Sequence, residues 1–474
     1  MKRIILIACI MLVIQLSRAQ KLDRSQRPLA GPAPIIRIND PVVYKLANGI
    51  TLLVVENHSL PKISAGYSID GGPVYEGTKA GVVGLLSEML NEGTENNTKA
   101  QFDEKVDQIG AEVKVSATGG QVSALTEYFN DAFLLMAEAL RKPAFSNESF
   151  AKLKSQRLHS LRSNEKSVPA VSNRVVNALS FGTNHPYGEF PTAQSVKEIQ
   201  IEDIKEIYRK IVSPSRGYLT IIGDITPKAA KALAIKAWGD WQGNTLTFPS
   251  YNKAENPIHT EVNLIDMPNA VQSEITVINL IDLPLSSPDY HAVLLANQIL
   301  GVGASGRLFQ NLREKHGFTY GAYSKTGSGR VQSTFSASAS VRNDKVDSAL
   351  VELLREIKQI GKELVTPVEL QNAKNLCNGN FAMNLESPAV GAGFASSILI
   401  NDLPKNFYRT FLEKLNAVTR EDVLKASKKY FDAERARVVI VGRAQDILPG
   451  LKASGYEIKQ FDVYAKPVPA ANKI

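Results

Sequence analysis

Residues 200–225, QIEDIKEIYRKIVSPSRGYLTIIGDI, carry apolar side chains at helical spacing, cross a short polar loop and end in a β-branched run closed by glycine. Residues 419–444, TREDVLKASKKYFDAERARVVIVGRA, follow the same order. Glu202, Asp203, Lys210, Arg216 and Gly223 meet Glu421, Asp422, Lys429, Arg435 and Gly442 at one offset of 219. A second pair recurs at an offset of 213. Residues 122–140 and 335–353 each read as strand, turn and helix, with Asn130-Asp131 and Asn343-Asp344 as the turns and each aspartate expected to cap the helix behind it. Long helices follow over about 147–164 and 367–385. Between Val42 and Glu56, Asn48-Gly49 predicts a tight hairpin.

This self-similarity predicts an α+β chain of two tandem homologous domains, about 40–245 and 260–460, each a mainly antiparallel sheet packed with helices. Residues 246–259, with Pro249 and Pro257, read as a linker, and 461–474 as a tail.

Composition sharpens the picture. With 474 residues, 44% hydrophobic and 22% charged, the chain is neither disordered nor fibrous and can bury a large core without covalent staples. A prior of ~150 residues per domain suggests about three domains; the repeat reduces that to two. The charge of +8 is spread along the chain with no basic run of five, and aromatics are only 7%, which argues against nucleic-acid binding.

Lys2 and Arg3, the apolar run Ile4 to Ile14 and Ser17-Arg18-Ala19 read as a secretory signal peptide. Its 11 apolar residues fall short of the ~20 that span a bilayer, and no later stretch is long enough. A lipidation box, Leu6-Ile7-Ala8-Cys9, sits too early in that run. Cleavage after Ala19 would remove three basic residues and no acidic one, leaving 455 residues with a charge of +5, an extension over 20–39 and Cys377 as the lone cysteine. The expected compartment is a periplasm or cell exterior, with no internal disulfide.

Two segments carry a resemblance. GVVGLLSEMLNEGT at 81–94 and RLFQNLREKHGFTYGAYS at 307–324, in an exported chain of two α+β halves, are similar to the pitrilysin/insulinase family of zinc peptidases. Active members carry H-x-x-E-H in the first segment, two histidines binding zinc and the glutamate activating water. The resemblance places those three roles at Gly84, Ser87 and Glu88, and none survives: glycine has no ligand, serine is no carboxylate base, and Glu88 lacks its imidazole neighbour. The family's third ligand would fall at about Glu165, read here as a solvated helix residue. The six histidines, at 58, 159, 185, 259, 291 and 316, are at least 25 residues apart, so no two share a helix face at ligand spacing. His185-Pro186-Tyr187-Gly188 looks like a family loop and reads as structural.

In the second segment the family places an arginine on a helix and a tyrosine just into the next strand, both reaching the scissile carbonyl. Those positions are Arg313 and Tyr320, with Gly317 turning the chain between them and Leu308, Phe309 and Leu312 facing the core. Both side chains are hydrogen-bond donors suited to an oxygen that gains negative charge. Some family members split a clamshell between two subunits of about this length, and this chain resembles the half without zinc. The resemblance therefore implies a substrate-binding subunit that holds no cofactor itself, completes a zinc-bearing H-x-x-E-H partner and acts on peptide substrates. Two other readings stay open: a structural or peptide-binding protein of the same fold, and an independent enzyme with a divergent metal site.

Overall fold

The computed structural model describes residues 40–469. The predicted export segment 1–19 with its Leu6-to-Cys9 box, the extension 20–39 and residues 470–474 lie outside the described residues. No described helix is long and apolar enough to cross a membrane.

In the first half the strands are β1 Val42–Lys45, β2 Thr51–Glu56, β3 Lys62–Ile69, β4 Glu112–Ser116, β5 Gly119–Leu125 and β6 Gly217–Gly223. The helices are α1 Val82–Met89, α2 Lys99–Gln108, α3 Phe129–Arg141, α4 Asn147–Asn164, α5 Val168–Phe181, α6 Ala193–Glu198, α7 Ile201–Ile211 and α8 Pro227–Trp238. The second half repeats the series with strands β7 Glu261–Asp266, β8 Gln272–Ile281, β9 Thr319–Thr326, β10 Ser333–Arg342, β11 Arg437–Gly442 and β12 Ile458–Phe461. Its helices are α9 Tyr290–Gly301, α10 Arg307–Phe309, α11 Val346–Ile360, α12 Pro367–Asn384, α13 Pro388–Ile400, α14 Phe411–Ala417, α15 Arg420–Tyr430 and α16 Ala444–Ala453. A π-helical segment, Gln310–Lys315, continues directly from α10.

Each half builds a six-stranded sheet, ordered β1-β2-β6-β3-β5-β4 and β12-β7-β11-β8-β10-β9. Five strands of each, all but β1 and β12, correspond one to one, with β2 and β6, like β7 and β11, parallel and the other pairs among them antiparallel. The fold is thus α+β with two tandem homologous domains. Only the sixth strand differs. β1 precedes its neighbour through the Asn48-Gly49 hairpin and pairs antiparallel, whereas β12 arrives from the C-terminal side and pairs parallel. Gly49 takes φ +100, which a side chain would resist.

The same local chemistry recurs in both halves. Asp203 accepts from the Gln200 N–H at the start of α7, and Asp422 from the Thr419 N–H at the start of α15. Lys154 donates to the Lys197 and Ile199 carbonyls, and Lys374 to that of Asn416, so a lysine of α4 or α12 holds the end of the helix beside it. One expectation needs correction. β5 stops at Leu125, and the turn is Thr126–Tyr128, so Asn130 and Asp131 lie inside α3 and Asp131 caps nothing. Phe129 and Phe133, one helical turn apart and fully buried against each other, start the helix earlier than the Asn-Asp pair suggests. Asn343-Asp344 does form a turn, a 3-10 one, but Asp344 pairs with Lys345 and Arg342 and again caps no helix.

The halves exchange helices. Val171, Val175 and Val176 of α5 pack on Ile265, Ile278, Val439 and Val441 of the second sheet. In return α13 crosses β2 and β6 of the first sheet. The C-terminal tail runs back over the first half, where the Arg174 Nε donates to the Val463 carbonyl at 2.9 Å. Val175→Ala, which removes two fully buried methyl groups from this exchange, is expected to destabilise the chain by about 2 kcal/mol in urea unfolding.

His291, near the start of α9, is buried beside Tyr290, Phe407 and Phe411. Burial, with Lys414 adding a little, pushes its imidazole down to about 4. An unfolded histidine gains its proton near pH 6.5. The contribution from burying it neutral is therefore complete above pH 6.5 and lost as pH falls from 6.5 toward 4. His291→Phe should flatten that part of the stability profile; an unchanged acid limb would refute the assignment.

Candidate functional site

Helix α1 forms because Val82, Leu85, Leu86 and Met89 recur on one face and are all buried. Its start is held by Glu76, whose carboxylate accepts from the Gly81 and Val83 N–H groups at 2.8 and 3.1 Å. Its end is stitched to the edge strand β4, where Asn91 donates to and accepts from Val115 at 2.8 and 3.2 Å. Gly84, Ser87 and Glu88 share the opposite, half-buried face.

Each of the three has a definite environment. Ser87 Oγ donates to the Val83 carbonyl at 3.0 Å and accepts from the Ala117 N–H at 3.1 Å, which ties the helix to the turn between β4 and β5. Glu88 forms an ion pair with Arg157 of α4. The same guanidinium lies against Gly84, where an added Cβ would stand 3.0 Å from its Nη2. Arg157 Nε is buried and has no hydrogen-bond partner among the described residues.

Glu165, at the end of α4, departs from its expected role as a solvated residue. It accepts a hydrogen bond from the Tyr464 hydroxyl, which the C-terminal tail brings across. Arg174 lies over both the Tyr464 and Phe190 rings, 5.3 Å from each centroid, and so stiffens the same corner.

These residues do not fit a zinc ion. A guanidinium has no lone pair to give, Gly84 has no side chain to offer, and Glu88 and Glu165 each already accept from a donor of this chain, Arg157 and Tyr464. Among the described residues, no group of three His, Cys, Asp or Glu side chains is placed to hold a metal. Two of the histidines have partners of their own. His58 lies between Asp224 and Glu56, both of which raise its pKa. His185 stacks on Phe181, and its Nδ1 accepts from the Tyr187 N–H at 3.1 Å.

Arg313 and Tyr320 stand on an unusual support. The π-helical segment is defined by the His316 N–H bonding to the Asn311 carbonyl, five residues back, at 3.1 Å, and Gly317, with φ +62, turns the chain beyond it. Leu308, Phe309 and Leu312 are buried beneath it, as expected. Asn311, also buried, donates to Glu352 at 2.6 Å and to Glu356 at 2.9 Å on α11, pinning the segment from below. Arg313 projects outward, 4.8 Å over the Phe309 ring and 3.5 Å from Glu314. Just beyond, the register of β9 against β10 shifts between Ala339 and Val341, and Tyr320 lies in that bulge with its side chain 83% exposed.

Arg313 and Tyr320 are thus both presented to solvent, on rigid elements seven residues apart. No hydrogen bond or ion pair among the described residues joins them to each other or to the Gly84, Ser87 and Glu88 face. Arg157, Asn311, Glu352 and Tyr464 were missed from sequence, because each partner lies 41 to 299 residues away with no motif between.

The chain is similar to known proteins over most of its length. Residues 51–185 match the family described as Insulinase (Peptidase family M16), and 198–377 match the Peptidase M16 inactive domain. It is 22% identical to a Bacillus subtilis protein named uncharacterized zinc protease YmxG, covering 84% of this chain and 97% of that one. It is 21% identical to a Helicobacter pylori protein named non-peptidase homolog YmxG, covering 79% and 87%. A solved peptidase M16 inactive domain from Pseudomonas fluorescens aligns with a TM-score of 0.77 at 23% identity, covering 85% of this chain and 98% of that one. The relatives' names divide between protease and non-peptidase, but the fold and both domain matches agree, and this chain belongs to the M16 insulinase family as a member without the H-x-x-E-H motif.

Proposed function

We propose that this protein is the non-catalytic, substrate-binding subunit of an exported heteromeric zinc peptidase. The observation that carries this reading is the contrast between the two segments. The α1 face is filled by an ion pair and a serine tie, while Arg313 and Tyr320 are held outward on a pinned π segment and a bulge with no internal task that explains them. In this reading the zinc belongs to a partner bearing H-x-x-E-H, and the guanidinium and phenol donate to the carbonyl oxygen of a peptide held in the partner's site. Negative charge builds on that oxygen in the transition state, so donors already oriented lower the barrier without reorganising. The expected compartment is the periplasm or cell exterior.

A structural or peptide-binding role is the second reading. It is favoured by open grooves of about 390 and 450 Å³ over the first sheet, lined by Ser64, Gly66, Lys114, Gln121 and Thr220.

The test is peptidase activity of this chain alone, of a co-encoded zinc subunit alone, and of the two mixed. Activity is expected only from the mixture. Arg313→Ala and Tyr320→Phe are each expected to lower kcat/KM of the mixture by roughly 100-fold, about 3 kcal/mol of transition-state stabilisation. Activity of the zinc subunit that is indifferent to this chain, or to Arg313→Ala, would overturn the proposal. Tight binding of extended peptides with no activity from any mixture would establish the second reading.

A further inference from the structure

We infer that the Arg157 guanidinium is this chain's built-in replacement for a metal ion: a fixed cation that ties α4 to α1 and bars zinc from the face formed by Gly84, Ser87 and Glu88. It sits where two of the three motif positions would direct their ligands, paired with Glu88 and packed against Gly84. Its side chain is only 27% exposed, so its charge acts in a medium where like charges repel strongly.

The internal repeat supplies a control. Setting Val83, Leu85 and Leu90 against Val293, Leu295 and Leu300, and the N-cap Ser146 of α4 against the N-cap Thr366 of α12, puts Glu88 opposite Gln298 and Arg157 opposite Cys377, and that pair also meets, with the thiol 4.0 Å from the amide oxygen. The second half thus joins the same two helices through a neutral contact. Charge is not required to pack them, and its presence in the first half answers to something local.

Glu165 adds a second bar. Tyr464 and Arg174 hold that corner through the tail, so the carboxylate nearest the family's third-ligand position is committed elsewhere.

It follows that restoring the motif alone should fail. Gly84→His would drive a side chain into Nη2, and Ser87→Glu would offer the guanidinium a new carboxylate in exchange for the one removed by Glu88→His. A zinc ion entering there would meet a fixed positive charge within a few ångströms.

The experiment measures zinc affinity by competition with a chromophoric chelator, and zinc retained after gel filtration, for the triple variant Gly84→His/Ser87→Glu/Glu88→His with and without Arg157→Ala. The triple variant is expected to retain no stoichiometric zinc. Adding Arg157→Ala should tighten binding by at least ~100-fold, because two cations a few ångströms apart at protein-like dielectric cost powers of ten in affinity. Adding Tyr464→Phe should tighten it further by freeing Glu165. A triple variant that binds zinc as tightly with Arg157 as without it overturns the inference.

Thermal unfolding of two milder variants keeps the question decidable if the multiple variants do not fold. Arg157→Leu leaves Glu88 unpaired and should lower Tm by at least ~3 °C. Arg157→Leu/Glu88→Gln, which copies the neutral pair of the other half, should recover most of that loss. Equal stability of Arg157→Leu and the unaltered chain would refute the tie between α1 and α4. No partner subunit enters these measurements, so their outcome is independent of the peptidase assay.

Discussion

The valines of α5, buried against the second sheet, are the constraint on which the rest of the molecule depends. Val171, Val175 and Val176 come from the first half and pack on Ile265, Ile278, Val439 and Val441 of the second sheet. Burying three such side chains contributes several kcal/mol, on the order of 1.5–3 each. The exchange also fixes where everything else can be. α5 follows α4, so seating its valines orients the helix that carries Arg157 and Glu165, and the tail that brings Tyr464 closes over the same junction.

Within that frame, the two halves fill one helix-to-helix contact in two ways. The site at which α1 meets α4 holds a carboxylate and a guanidinium; its counterpart between α9 and α12 holds an amide and a thiol. Both join the same helices. Only the charged version presses on a glycine, and glycine in a helix interior costs roughly 0.5–1 kcal/mol relative to alanine. Gly84 is therefore tolerated for the space it leaves, and that space is filled by Arg157.

The repeat, the two long helices after each matched strand, the hairpin at Asn48-Gly49 and the Gly317 turn were legible in the sequence because each is a local pattern: a period, a turn dipeptide, an offset. The Asn130-Asp131 turn was misread because a local preference lost to the burial of Phe129 and Phe133. The differing sixth strands and the exchange of helices are choices between equivalent neighbours, which periodicity does not encode. Arg157 was invisible for a further reason. A motif scan registers the histidines that are gone, whereas the group that fills their space is an ordinary helix arginine 69 residues on.

Arg313 and Tyr320 present the opposite case, in which sequence pointed to the residues but not to what holds them. An α-helical register through 310–315 would rotate each side chain relative to the buried Leu308, Phe309 and Leu312; the π register adds one residue to the turn. Asn311 then faces inward to Glu352 and Glu356, and Arg313 faces out. Burial raises the pKa of Glu356, with Arg355 opposing, so one buried amide holds two carboxylates that would otherwise repel. A bulge does for Tyr320 what the π segment does for Arg313, adding a residue to one strand so that its side chain leaves the sheet. Two insertions of one residue each, in consecutive elements, turn two donors away from the core that built them. Such irregularities interrupt the regular ladder around them and leave both donors facing solvent, which supports the proposal that the pair contacts another molecule.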